Sequence, residues 1–126
     1  MNMYRQIILD HYKNPRNFGN LDKPDSKAVE NNTSCGDRII IEILVDEKAQ
    51  KVSEIRFSGE GCAISQAAAS MLTEKVKDME YKKIMSITGK DVVDMLGTTL
   101  TPSRVKCATL CLEVLHKAVG KVSSYK

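Results

Sequence analysis

Residues 38–58 constrain the fold more than any other stretch. From Arg38 to Asp46, Ile39, Ile41, Ile43 and Val45 alternate onto one face, with Ile40 and Leu44 on the other and Glu42 between them. This period of two marks a strand, because successive strand side chains point to opposite sides whereas a helix repeats every 3.6 residues. Glu47 to Lys51 is a polar turn, and Val52 to Ser58 returns with Ile55 and Phe57 on one face. The pair reads as an antiparallel hairpin closed by a loop of about five residues. Apolar side chains on both faces of the first strand call for cover on both sides, so helices are expected to pack nearby.

The flanking sequence supplies them. Met3 to Tyr12 reads as a short helix with Ile7, Ile8 and Tyr12 on one side. Asn14-Pro15 ends it, since the residue before a proline disfavours helical dihedrals. Residues 14–34 read as loop with one short extended piece near Lys27 to Glu30. Gly59-Glu60-Gly61 breaks the second strand. Cys62 to Lys77 is an alanine-rich helix with Ile64, Ala68, Met71, Leu72 and Val76 along one stripe. Tyr81 to Leu96 holds one or two short helices broken at Gly89 and ended at Gly97. Thr101-Pro102 has the form of an N-cap followed by proline at the first helical position, and a long helix runs from there to about Val122. The expectation is a single α+β domain over residues 1–126, a small antiparallel sheet followed by helices that cover it.

Composition excludes several classes. The longest apolar runs are three residues, whereas a membrane span needs about 20. Asp10 and His11 interrupt the stretch where a secretion signal needs an apolar core, so no signal peptide is expected and a cytoplasmic, reducing setting is. The net charge is +3, no basic block exists, and the aromatic residues are only two Phe and four Tyr. Nucleic-acid binding usually shows a basic stripe with aromatics, so it is not expected. Four cysteines in 126 residues are too few for a small disulfide scaffold, which typically exceeds about 8% cysteine. In a reducing compartment such cysteines more often bind metal or do chemistry.

Two of them bracket the hairpin. Cys35 precedes the first strand in Ser34-Cys35-Gly36-Asp37, and Cys62 follows the second in Gly59-Glu60-Gly61-Cys62-Ala63. The entry of the first strand and the exit of the second lie at the same end of an antiparallel pair. Topology alone therefore brings Cys35, Asp37 and Cys62 together. Cys107 sits about one and a half turns into the last helix. If that turn docks on the hairpin end, three thiols and one carboxylate meet, a set suited to tetrahedral zinc or to iron in a cluster. The setting favours thiolates: Cys62 is at a helix N-terminus, and Arg104, Lys106 and Arg38 lie close in sequence to the candidate ligands. Thiolates hold soft metals firmly and a carboxylate is a harder ligand, so Asp37 is the weak member, as suits a site that releases what it holds. Cys111, between Leu110 and Leu112, reads as a packed core thiol, although one helical turn from Cys107 it is also within reach of the same site. His11 and His116 have no neighbouring ligand pattern and read as surface or partly packed histidines.

The sequence resembles the U-type iron–sulfur cluster assembly scaffolds: IscU, the N-terminal domain of NifU, and SufU. Four segments carry the resemblance in order. His11-Tyr12-Lys13-Asn14-Pro15-Arg16-Asn17 matches the N-terminal signature, and Cys35-Gly36-Asp37, Gly59-Glu60-Gly61-Cys62-Ala63-Ile64-Ser65 and Arg104-Val105-Lys106-Cys107-Ala108 match the three ligand motifs. The resemblance implies a SufE/NifU-like α+β fold, with a three-stranded antiparallel sheet packed against several helices, and Cys35, Asp37, Cys62 and Cys107 around one metal site. It implies a cysteine desulfurase as sulfur donor, assembly of a transient [2Fe–2S] cluster from that sulfur, iron and electrons, and transfer to apo iron–sulfur proteins. Such a protein is an assembly scaffold or sulfur acceptor, not a classical enzyme.

The chain departs from the subgroups in different directions. IscU-type members carry histidine before the last cysteine; Lys106 stands there, as in SufU-type members. The Leu-Pro-Pro-Val-Lys segment that recruits an Hsp70-type chaperone is matched only at Leu100 and Pro102 of Leu100-Thr101-Pro102-Ser103-Arg104, which weighs against chaperone-driven release. SufU-type members insert about twenty residues between the second and third cysteines, and the 44 residues from Cys62 to Cys107 are closer to the IscU-type length. Two mechanisms stay open on one site: cluster assembly, or a SufU-like zinc-dependent sulfurtransferase in which Cys35 or Cys107 is the persulfide acceptor. A structural zinc domain is a third reading, disfavoured because structural sites rarely use a carboxylate.

Overall fold

The computed structural model describes residues 3–33 and 36–123. In chain order the elements are α1 (Met3–Lys13), β1 (Ser26–Asn32), β2 (Asp37–Asp46), β3 (Lys51–Glu60), α2 (Ala63–Val76), α3 (Tyr81–Met85), α4 (Gly89–Leu96) and α5 (Pro102–Ser123). The three strands form one antiparallel sheet in the order β1-β2-β3. This is the α+β architecture that the sequence implies.

The hairpin pairs Ile41 with Phe57 and Ile43 with Ile55, and all four side chains are fully buried together with Ile39. Ser26 stands opposite Ile43 across β1 and β2, and its hydroxyl donates to the carbonyl of Ala118 in α5 at 2.7 Å. The isoleucine face is thus the one that α5 covers, while α2 packs between α5 and α1. On the opposite face a loop contributes cover. Glu42, 5% exposed, accepts the Leu21 amide at 2.6 Å, so a loop crosses that side.

Two boundaries differ from the sequence expectation. The extended piece before the hairpin is a full strand, Ser26–Asn32, paired along its whole length with β2. Its polar residues give little periodic signal, and the exposed edge of β2 is what draws them into the sheet. Gly59 does not break the second strand but lies within β3, paired with Ile39. Its φ is +114°, and a Cβ there would sit 2.0 Å from the Arg38 carbonyl oxygen. Only glycine fits this approach of two backbones, and what reads as a strand breaker is a paired residue inside the strand.

His11 is more deeply placed than its sequence context implies. At 8% exposure, its Nδ1 lies 2.8 Å from Ser70 Oγ on α2. The Arg16 amide donates to that same hydroxyl oxygen at 2.8 Å, which leaves the hydroxyl proton available to an unprotonated Nδ1. Burial and then the Arg16 guanidinium push the imidazole pKa below its ordinary value, against weaker upward pulls from Glu74 and Asp10. Because the folded pKa is depressed, the stability from neutral His11 is complete above the unfolded value of about 6.5 and is lost as pH falls through the folded pKa. We expect the unfolding free energy to fall from pH 7 to pH 5, and by less in His11→Gln. Urea titrations of both proteins check this; equal pH dependence would remove His11 as the cause.

Candidate metal centre

The site forms where β2 begins, β3 ends and α2 starts. Asp37 opens β2 opposite Asn32 of β1, and the neighbouring pair Arg38 and Glu60 brings the end of β3 alongside. Two residues beyond Glu60, Cys62 is the N-cap of α2, in extended conformation and without a side-chain capping bond. Its amide is satisfied from across the hairpin, donating to Asp37 Oδ1 at 3.0 Å. Its carbonyl accepts from the Ser65 hydroxyl and from the Gln66 amide, each at 3.1 Å. The aspartate therefore tethers the start of β2 to the start of α2.

Cys107 comes from the other side. The apolar residues of α5 include Leu110, Cys111, Val114, Leu115 and Ala118, all buried. Packing that stripe on the sheet turns Cys107, 3% exposed, toward the hairpin end. One donor atom from each of Asp37, Cys62 and Cys107 lies within 4.8 Å of the others. That spacing is of the order of twice a zinc–ligand bond of about 2.0–2.3 Å. Topology anticipates Asp37 beside Cys62, and the tertiary structure adds Cys107. Cys35 lies outside the described residues, in the segment between Thr33 and Gly36.

Asp37 is the unusual member. The residue is 1% exposed, and among the described residues its Oδ2 has no hydrogen-bond partner. A buried acceptor left without a partner costs about 1–3 kcal/mol, more when charged. A cation beside two thiols is a partner that would remove that cost, so the donor set fits a bound metal. Cys62, half-buried, and Cys107 also line an open recess with Asn32, Pro102, Arg104 and Lys106. Arg104 and Lys106 are exposed, so the rim carries positive charge beside the thiols.

The other candidates are elsewhere. Cys111 is in the apolar core, where its thiol donates to the Ala108 carbonyl at 3.4 Å. Burial pushes its pKa up to about 12, so it stays a neutral thiol. His116 Nε2 lies 2.9 Å from the Ile84 carbonyl oxygen and joins α5 to α3. Sequence reasoning missed the second role of Asp37 as acceptor for the Cys62 amide. No local pattern encodes a contact between residues 25 apart in the chain.

The profile of the NifU-like N-terminal domain matches residues 3–126. The chain belongs to this family. NifU-like relatives include the zinc-dependent sulfurtransferase SufU of Bacillus subtilis, 40% identical over 94% of this chain and 90% of that protein. The iron–sulfur cluster assembly scaffold protein IscU of Aquifex aeolicus is 36% identical over 92% of this chain and 73% of its own length. Solved NifU-like structures share the fold. The N-terminal part of a nitrogen-fixing NifU-like protein from Brucella abortus superposes with a TM-score of 0.79 at 15% identity, covering 98% of this chain and 96% of that one. An iron–sulfur cluster assembly scaffold protein described for the SUF system of Fervidobacterium islandicum gives 0.77 at 24% identity, covering 90% and 94%. The chain is thus a member of the IscU/SufU scaffold family, and no helix among the described residues is long and apolar enough to cross a membrane.

Proposed function

We propose that this protein is a scaffold on which a [2Fe–2S] cluster is assembled and from which it is passed to apo iron–sulfur proteins. Cys35, Asp37, Cys62 and Cys107 are the ligands, ferrous iron and desulfurase-derived sulfur are the substrates, and an external electron donor completes the reduction of that sulfur to sulfide. The observation that carries the reading is the buried Asp37 carboxylate, with a donor oxygen within 4.8 Å of two thiols and an Oδ2 that has no hydrogen-bond partner among the described residues. Three thiolates hold the cargo, and the harder carboxylate ligand is the one most readily surrendered. Both thiols line an open recess through which the half-buried Cys62 is the more accessible, and thiolate access is what sulfur transfer needs. The work belongs in a reducing compartment, the cytoplasm.

A second reading has its own support. Lys106 precedes the last cysteine as in SufU-type members, and the Bacillus subtilis relative is named a zinc-dependent sulfurtransferase. In that reading zinc sits on the same four ligands. When bound it supplies a Lewis acid that keeps coordinated thiols deprotonated. Cys35 or Cys107 then accepts persulfide sulfur from the desulfurase.

Anaerobic reconstitution decides between them. Metal-free protein is given ferrous iron, cysteine and a cysteine desulfurase while visible absorption is followed. The expected result is the charge-transfer spectrum of a [2Fe–2S] cluster, which an added apo-ferredoxin then gains. Absence of a cluster, with tight zinc and a persulfide on one site cysteine, overturns the scaffold reading in favour of sulfur transfer.

A further inference from the structure

Gly61 is required by the site and not by its own backbone. Its φ is outside the left-handed region that favours glycine, so an L side chain would fit the local chain path. The obstacle is space. A Cβ there would lie 2.6 Å from Asp37 Oδ1, 3.0 Å from Asp37 Cγ and 2.4 Å from Ser65 Oγ. Gly59 is a different case, because there a Cβ meets the backbone of Arg38 and a substitution disrupts the sheet itself. Around Gly61 the obstructing atoms belong to side chains. The Ser65 hydroxyl can turn away, giving up its bond to the Cys62 carbonyl. The Asp37 carboxylate is buried and held by the Cys62 amide, so a methyl group drives it off that amide.

We infer that Gly61 is the positioning residue that admits the Asp37 carboxylate to the metal centre. It holds open the space in which Asp37 Oδ1 takes the Cys62 amide while a carboxylate oxygen stays within 4.8 Å of the two thiols. Gly61 thereby sets how firmly the centre holds a metal without touching the metal itself. Partners that orient a ligand typically change metal affinity by about 10–100-fold. The inference rests on the reading of Asp37 as a ligand, and its test separates the two.

Gly61→Ala, Asp37→Ala and the double variant are compared with the parent protein. Hydrogen exchange of the Cys62 amide is measured by NMR without metal, and zinc affinity by competition with a chromophoric chelator. In Gly61→Ala we expect the Cys62 amide to exchange about tenfold faster or more, as for loss of a hydrogen bond to a charged group. Zinc affinity should fall about tenfold, as in Asp37→Ala, and the double variant should bind no more weakly than Asp37→Ala alone. A Cys62 amide as protected as in the parent overturns the inference, as does a zinc effect fully additive with that of Asp37→Ala. If Asp37→Ala leaves zinc affinity unchanged, the ligand reading of Asp37 fails, while amide exchange still decides whether Gly61 places the carboxylate. Gly61→Ala/Ser65→Ala removes the shorter contact and supplies a folded protein should Gly61→Ala alone not fold. Parental zinc affinity in that pair would assign the effect to Ser65 and overturn the inference.

Discussion

Zinc added to the metal-free protein should raise its thermal midpoint by roughly 10 °C at a free concentration about 100 times the dissociation constant. A ligand that binds only the folded state stabilises by about 2.7 kcal/mol at that ratio, and a domain of this size gains several degrees per kcal/mol. The gain has a local origin. Asp37 Oδ2 is buried without a hydrogen-bond partner among the described residues, and its carboxylate lies within 4.8 Å of two thiols; a bound cation would give that carboxylate a partner. Cys107→Ser should remove most of the rise, because Cys107 is the proposed ligand that α5 contributes. Calorimetry with and without zinc measures both effects. A midpoint that saturating zinc does not move would remove Asp37, Cys62 and Cys107 as a metal centre.

Phe57→Ala should cost about 3–5 kcal/mol of folding free energy, the usual range for truncating a fully buried phenylalanine. The ring is 0% exposed and meets Phe18 edge-on, with centroids 5.3 Å apart and planes at 87°. The Phe57 amide donates to the Asn17 carbonyl at 2.9 Å, and its carbonyl accepts from the Gly19 amide at 2.8 Å. One residue thus fills the core and fastens the segment after α1 to the edge of β3. The substitution leaves the backbone groups in place but removes the ring on which Phe18 rests, so the Gly19 amide should also lose exchange protection. Chemical denaturation and hydrogen exchange read the two consequences separately. A loss below about 1 kcal/mol, typical of sites without a packing role, would show that the ring does not anchor this edge.

The parts of the fold legible in the sequence are those with a strong local period. Ile39, Ile41, Ile43 and Val45 mark β2, and Thr101-Pro102 marks the start of α5. The polar strand β1 carries no such period, and only pairing with β2 makes it a strand. Gly59 reads as a terminator because sequence shows the missing side chain but not the carbonyl of Arg38 that takes its place. His11 reads as a surface or partly packed residue, and its depth is hidden because its partner, Ser70, is 59 positions away.

For the candidate metal centre the same division holds. The sequence by itself determined that Asp37 and Cys62 meet, because an antiparallel hairpin has only one end at which its outer termini can lie. It determined the thiol and carboxylate chemistry too, since that resides in residue types. The tertiary structure decided that Cys107 joins them, because the docking of α5 depends on how Leu110, Val114, Leu115 and Ala118 pack against the sheet. It also decided that Asp37 accepts the Cys62 amide while lying within 4.8 Å of the two thiols, and that Gly61 leaves room for it. Those are contacts of a few ångströms between side chains and backbone brought in by separate elements. Their distances follow from the packing of the whole molecule and not from any local pattern.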